Sequence, residues 1–257
     1  MPGVSSAAIA GIAIVCMFGG ALAGLRLQRL LPRHHLSTES KDVVKLGAGV
    51  IATVTALVLG LLISSAKGTF DEANSKITQA GAKIIILDEL LDRYGPETKP
   101  IREQLRRSVE LMLGRIWPSE ATGTVAGMGA IEQGRQNRLM QDRLGALAPS
   151  DEAHRQILAQ AQQVVSDVGQ ARWMLIEEAQ NALPTALVVL LIFWLAVLFG
   201  SFGLFAPRNV TVIIVLFVCA CSMAGAIFLI LELNHPLDGF VKVSSAPLRK
   251  ALLIVGR

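Results

Sequence analysis

The sequence predicts an all-α membrane protein: four transmembrane helices, with a helical extramembrane insertion between the second and the third. Three observations carry this reading. The 257-residue chain is 52% hydrophobic with a mean hydropathy of +0.52, and only 17% of it is charged, against about 25% in soluble domains. Four apolar windows, 4–25, 43–66, 183–204 and 210–231, each match the roughly 20 residues a helix needs to cross about 30 Å of hydrocarbon. The stretch between the second and third windows, 67–182, carries 14 Lys+Arg against 16 Asp+Glu, as a water-facing segment would. Backbone polar groups in lipid must be satisfied internally, so the apolar windows are read as helices.

The first window has an Ala21-Leu22-Ala23 triplet that resembles a signal cleavage site. The preceding MPGVSS has no Lys or Arg and the apolar run is longer than a signal core, so an uncleaved helix is expected. Cys16, Cys219 and Cys221 all fall in apolar windows and are read as small packing side chains. Before the second window, Ser37 is placed to cap a helix with Glu39 and Asp42 in its first turn. The neighbouring His34 and His35 have no zinc-like spacing.

The second window passes into mixed charge with no proline or turn cluster between them. Periodicity indicates one continuous helix over 43–94, about 78 Å at 1.5 Å per residue. From Phe70 a three-and-four alternation runs forward through Ala73, Ile77, Ala80, Ile84, Leu87, Leu91 and Tyr94, a coiled-coil type of seam. Backwards it runs through Ala66, Ile63, Leu59, Ala56, Ala52 and Gly49. Small residues in the membrane part of such a seam let helices approach closely. The alternative is two helices meeting near Lys67 and Gly68.

Within the insertion, breaks are expected at Tyr94-Gly95-Pro96, Trp117-Pro118, the stretch TGTVAGMG and Ala148-Pro149. Ser150 is expected to cap the last helix, which carries a second seam of Ile157, Ala161, Val164, Val168, Ala171 and Leu175. Pro184 marks the start of the third span. At the end of the fourth span, Glu232, His235 and Asp238 gather, and span parity brings Lys67 and Asp71 to the same membrane face. Interfacial solvation followed by a Pro236 to Gly239 turn accounts for this cluster without a metal. The domains expected are therefore 1–66, 67–182, 183–231 and a C-terminal tail, 232–257.

Scattered charge excludes a nucleic-acid stripe despite a net charge of +4. TGTVAGMG lacks the Gly-Lys-Ser/Thr ending of a phosphate loop, and no G-x-S-x-G, H-E-x-x-H or paired-cysteine pattern occurs. His154, in a polar helix beside Arg155, reads as solvated. No enzyme activity, cofactor or metal is expected. Five Lys or Arg between Arg26 and Lys45 favour a cytoplasmic first loop, while Lys67, Lys76, Lys83, Arg172 and the basic tail count the other way.

"LPRHHLSTESKDVVKLGAGVIATVTALVLGLLISSAKGTFD" and "LELNHPLDGF" resemble the bestrophin-like domain family of bacterial and plant membrane proteins. The bestrophins proper, more distant relatives, are oligomeric anion channels with four spans and a helical cytosolic region. The resemblance implies a homo-oligomer, a pentamer by analogy, in the cell's inner (plasma) membrane, with the second span lining a central path for inorganic ions. On that span the face opposite the small-residue seam presents Val50, Val54, Val58, Leu61 and Ser65. It lacks the aromatic constriction of bestrophins, and NHPLDG retains only Asp238 of their acidic calcium clasp. The resemblance also implies a cytoplasmic insertion. The function expected is passive ion conduction; the alternative is a non-conducting membrane scaffold or signalling protein.

Overall fold

The computed structural model describes residues 5–30, 38–117, 130–180, 185–237 and 239–256. Helix makes up 87% of the described residues, and no strand occurs among them. In order the helices are α1 (Ser6–Leu30), α2 (Thr38–Tyr94), α3 (Lys99–Ile116), α4 (Ala130–Gly145), α5 (Glu152–Gln180), α6 (Thr185–Phe205), α7 (Val210–Leu233) and α8 (Ala246–Ile254), with a 3-10 turn at Pro96–Thr98. Four of them, α1, α2, α6 and α7, are long and apolar enough to cross a membrane. The stretches around Ser37, His34, His35, TGTVAGMG and Pro184 lie outside the described residues.

α2 is a single helix of 57 residues. It runs through Gly68, where an added Cβ would meet nothing. A glycine costs about 1 kcal/mol in a helix interior but keeps its N–H, so the ladder continues. The hydroxyls of Thr53, Thr55 and Thr69 each donate to the carbonyl four residues earlier, at 2.9, 2.7 and 3.2 Å. Polar side chains are thereby satisfied inside an apolar segment without breaking it.

The chain divides into two compact units. The first comprises Met1–Phe70, Ala182–His235 and Gly239–Val241. Its core joins Ala13, Met17 and Ala21 of α1 to Leu191, Leu195 and Phe199 of α6 and Ala220, Ala224 and Ile227 of α7, with Leu62 and Ala66 from α2. α1 and α6 run parallel in close backbone contact. A Cβ on Gly20 would lie 2.6 Å from the Ala196 carbonyl oxygen, and one on Gly24 would overlap the Gly200 oxygen and lie 2.8 Å from the Leu204 nitrogen. A Cβ on Gly203 would overlap the Ala21 oxygen. Gly20 and Gly24 on one helix and Ala196 and Gly200 on the other are four residues apart, the small-residue spacing by which spans associate where lipid offers no hydrophobic drive. α7 joins them through an edge-to-face contact of Phe18 with Phe217, centroids 5.2 Å apart. Its first turn is capped by Asn209, whose side chain accepts from the Val212 N–H at 2.9 Å.

The second unit comprises Asp71–Asn181, Pro236–Asp238 and Lys242–Arg257. Ala73, Ile77, Ala80, Ile84, Leu87, Leu91 and Tyr94 are all buried on one side of α2. The helix ends at Gly95, whose φ of 134° is open to glycine alone, and Pro96 starts the turn. The Thr98 hydroxyl donates within this corner, with the carbonyls of Leu91 and Gly95 at 2.5 and 2.7 Å.

The corner brings Arg102 of α3 back to Asp88, which is 4% exposed, through a two-pronged contact of 2.8 and 2.9 Å. Asp92 adds a further bond to the same guanidinium. Asp88 holds Arg102 above its usual range, the hydrogen bond being the largest cause.

Lys242–Arg257, the greater part of the 232–257 segment, belongs to this unit. Leu248, Ala251 and Val255 are fully buried, the Gly256 N–H donates to Asp88 at 3.3 Å, and Gly81 of α2 abuts Pro247, whose carbonyl oxygen would lie 2.9 Å from an added Cβ. The Trp117 indole N–H donates to the Val243 carbonyl at 2.9 Å.

α5 departs from expectation at its start. Asp151, not Ser150, is the cap: its carboxylate accepts from the His154 N–H at 2.8 Å. A helix beginning at Glu152 places Asp151 where an N-cap acid reaches the third free N–H. Along α5, Ala161 is buried and Ile157, Val164 and Val168 are partly covered, while Leu158 and Val165 are buried beside them. The side chains of Ala171 and Leu175 lie outside the described residues.

Candidate functional site

The apolar part of α2 is the least covered of the four long helices. Within its most apolar 18-residue window 11% is buried, against 33% for α6 and 22% for α1 and α7. Of the expected lining residues, Val50 is 65% exposed, Leu61 is 70% exposed, and Val54 and Ser65 are also exposed. Val58 departs from that face and packs in part against the first unit's own core.

The small-residue seam is also displaced in this half. Ala66 is buried and Ala52, Leu59 and Phe70 are partly covered, but Gly49, Ala56 and Ile63 are exposed. Thr55 and Leu62, one position earlier than Ala56 and Ile63, are the buried residues. An α-helix drifts about 20° per heptad against a 3.5-residue repeat, so a seam extrapolated over many turns rotates off the covered side. In consequence Gly49, Ala56 and Gly60 form an open edge beside the exposed Val50, Val54 and Leu61, with no neighbour within 4 Å of a Cβ on either glycine.

The polar cluster at the end of α7 is organised around its own turn. Glu232 is 6% exposed, and its carboxylate accepts the Phe240 N–H. The Gly239 N–H donates to the His235 carbonyl at 2.9 Å. A Cβ on Gly239 would lie 2.8 Å from both Glu232 Oε2 and the His235 oxygen, so the turn closes tightly only on glycine. His235, Lys67 and Asp71 are exposed, and Asp238 lies outside the described residues. No group of three or more His, Cys, Asp or Glu suited to a metal occurs among the described residues. Asp42, expected in a capping role, pairs with Lys45 at 3.8 Å on the surface.

His154 is not simply solvated. Its Nδ1 lies 2.7 Å from Asp151 and 3.2 Å from the Ser150 hydroxyl, and its ring stands edge-on to Tyr94 with centroids 5.1 Å apart. The bond to Asp151 holds the imidazole above its usual range, and the Tyr94 backbone adds to the effect. Asp151 is pushed down, first by the His154 backbone N–H and then by its ring. On the same helix, Asp167 bonds Lys83 of α2 at 2.8 Å and is lowered chiefly by that bond.

Four long apolar helices, with paired glycines joining α1 to α6, define a polytopic all-α membrane protein. The chain belongs to the Bestrophin-like domain family, whose model matches residues 15–248. Two solved structures similar to it are variants, each with one mutation, of a bacterial bestrophin homologue from Klebsiella pneumoniae. One has a TM-score of 0.64 at 13% identity, covering 93% of this chain and 97% of the other. The second has a TM-score of 0.59 at 14% identity, covering 95% and 96%. At these identities the likeness establishes a shared fold. Among curated proteins, none matches the chain.

Proposed function

We propose that the chain is one subunit of a homo-oligomeric passive ion channel of the inner membrane, with α2 lining the path and residues 67–182 forming an extramembrane helical domain. The observation that carries this reading is the exposure of the apolar half of α2. A helix wanted only for lipid contact would have no use for Gly49, Thr53, Gly60, Ser64 and Ser65 among its exposed residues. Small residues suit close approach by a neighbouring copy, while Val50, Val54 and Leu61 would narrow an axial path and gate it by dewetting. Anions are the favoured ions through the bestrophin resemblance.

Purified protein in planar bilayers tests this. Val54→Thr or Leu61→Ser is expected to raise open probability or change selectivity, because a hydroxyl ring wets where an apolar ring does not. Unaltered currents in both variants would remove α2 from the path. A non-conducting scaffold is the second reading, supported by the unbroken run of α2 over 57 residues. Silence across salts and pH from an intact oligomer selects it.

A further inference from the structure

We propose that the membrane face at the α1 and α6 C-termini is a binding rim for anionic phospholipid headgroups. The parallel α1–α6 contact fixes which ends share a face. Gly24 is level with Gly200 and Leu204, so Arg29, five residues on, and Arg208, four residues beyond Leu204, emerge at the same end. α7 starts there after a four-residue corner, and α2 starts there after α1 ends.

Among the described residues, five cations of the first unit gather at this end: Arg26, Arg29, Lys45 and Arg208 are exposed, and Lys41 is half-buried. Asp42 is the one acid among the described side chains of this rim, and it pairs with Lys45. Leu30, Leu46 and Val210 stand exposed beside these cations. Alternating exposed apolar and basic side chains at the end of a span fit the boundary where acyl chains give way to phosphates. There the basic heads reach headgroups while their stems cover hydrocarbon. The exposed apolar neighbours favour a lipid phosphate over a free one, since a soluble anion gives them no cover.

Native mass spectrometry of the detergent-released full chain tests the rim by counting retained phosphatidylglycerol against phosphatidylcholine. The combined variant Arg26→Gln, Arg29→Gln, Arg208→Gln is expected to bind phosphatidylglycerol on the order of 100-fold more weakly, each basic residue near a membrane surface being worth about fivefold. The combined variant Lys99→Gln, Arg107→Gln, Lys250→Gln removes the same charge from exposed positions of the second unit and is expected to keep it. Should the rim variant fail to fold, the wild-type chain supplies the test, because about 1 M salt should abolish the preference by screening. Equal loss in both variants, equal retention of the two lipids, or a preference indifferent to salt would overturn the proposal. Displacement by millimolar inorganic phosphate would overturn the lipid assignment in favour of a soluble-anion site.

Discussion

Replacing Gly24 with alanine adds one methyl group where two helix backbones already touch. At the neighbouring Gly20 the would-be Cβ stands 2.6 Å from the Ala196 oxygen, whereas comfortable carbon–oxygen contact is about 3.3–3.6 Å. Gly24 is more confined still, with the Gly200 oxygen and the Leu204 nitrogen both in the way. These obstacles are backbone atoms and have no rotamer to move to, so α1 and α6 must part by about 1 Å. A gap of that size forfeits roughly a quarter to a half of each facing dispersion contact. Overpacking costs about 1–3 kcal/mol, and the better helix propensity of alanine returns about 1 kcal/mol. Gly24→Ala should therefore lose up to about 2 kcal/mol. Gly11→Ala and Gly19→Ala, where a Cβ meets nothing, should be neutral or gain up to about 1 kcal/mol. Unfolding of the purified chain in detergent, followed by circular dichroism against rising sodium dodecyl sulfate, measures all three. If Gly24→Ala unfolds together with Gly19→Ala, the close α1–α6 contact does not exist in the protein.

Asp88→Ala strips the partly buried guanidinium of Arg102 of its two-pronged partner and the Gly256 N–H of its acceptor. Because Arg102 keeps Asp92, a loss of about 1.5–3 kcal/mol is expected, with faster hydrogen exchange through α8; unchanged exchange there would refute the tie. The Asp151–His154 contact gives a pH signature. The imidazole is raised above its ordinary 6.5, so its contribution is complete below that value and is lost as pH rises through the raised one. The carboxylate is lowered below its ordinary 3.8, so its contribution is complete above that value and is lost as pH falls through the lowered one. Their combined effect is greatest between about pH 4 and 6.5. His154→Gln should flatten the alkaline side of a melting-temperature profile, and an unaltered profile would refute it.

The four long helices were legible because length and apolarity suffice to define a span, and the charge-balanced stretch between the second and third set α3, α4 and α5 apart from those windows. Local spacing served less well where the partner changes. Along α2 the alternation from Ala73 to Tyr94 coincides with buried side chains, but extended to Gly49 it overlooks the drift that brings Thr55 and Leu62 inward. The α1–α6 contact had a signal, Gly20 and Gly24 facing Ala196 and Gly200, which passes unnoticed when glycines are counted only as helix breakers. Asp88 and Arg102 could not be matched in advance, since their meeting depends on the backbone angle at Gly95. Glu232 sits before Pro236 and Gly239, so a turn was readable there; that its carboxylate would close the turn on Phe240 was not. Asp151 and Ser150 are both good caps, and only the register of α5 chooses between them.

The parallel pairing of α1 with α6 bears on how the chain is made. The two halves of that contact, Gly24 and Gly200, are 176 residues apart in the order of synthesis. At roughly 5–20 residues per second, the first span waits about 10–35 s in the bilayer before its mate emerges from the ribosome. Throughout that interval its glycine groove is open to any other passing helix, so assembly of this protein depends on the nascent first span being kept from the wrong company until the third arrives.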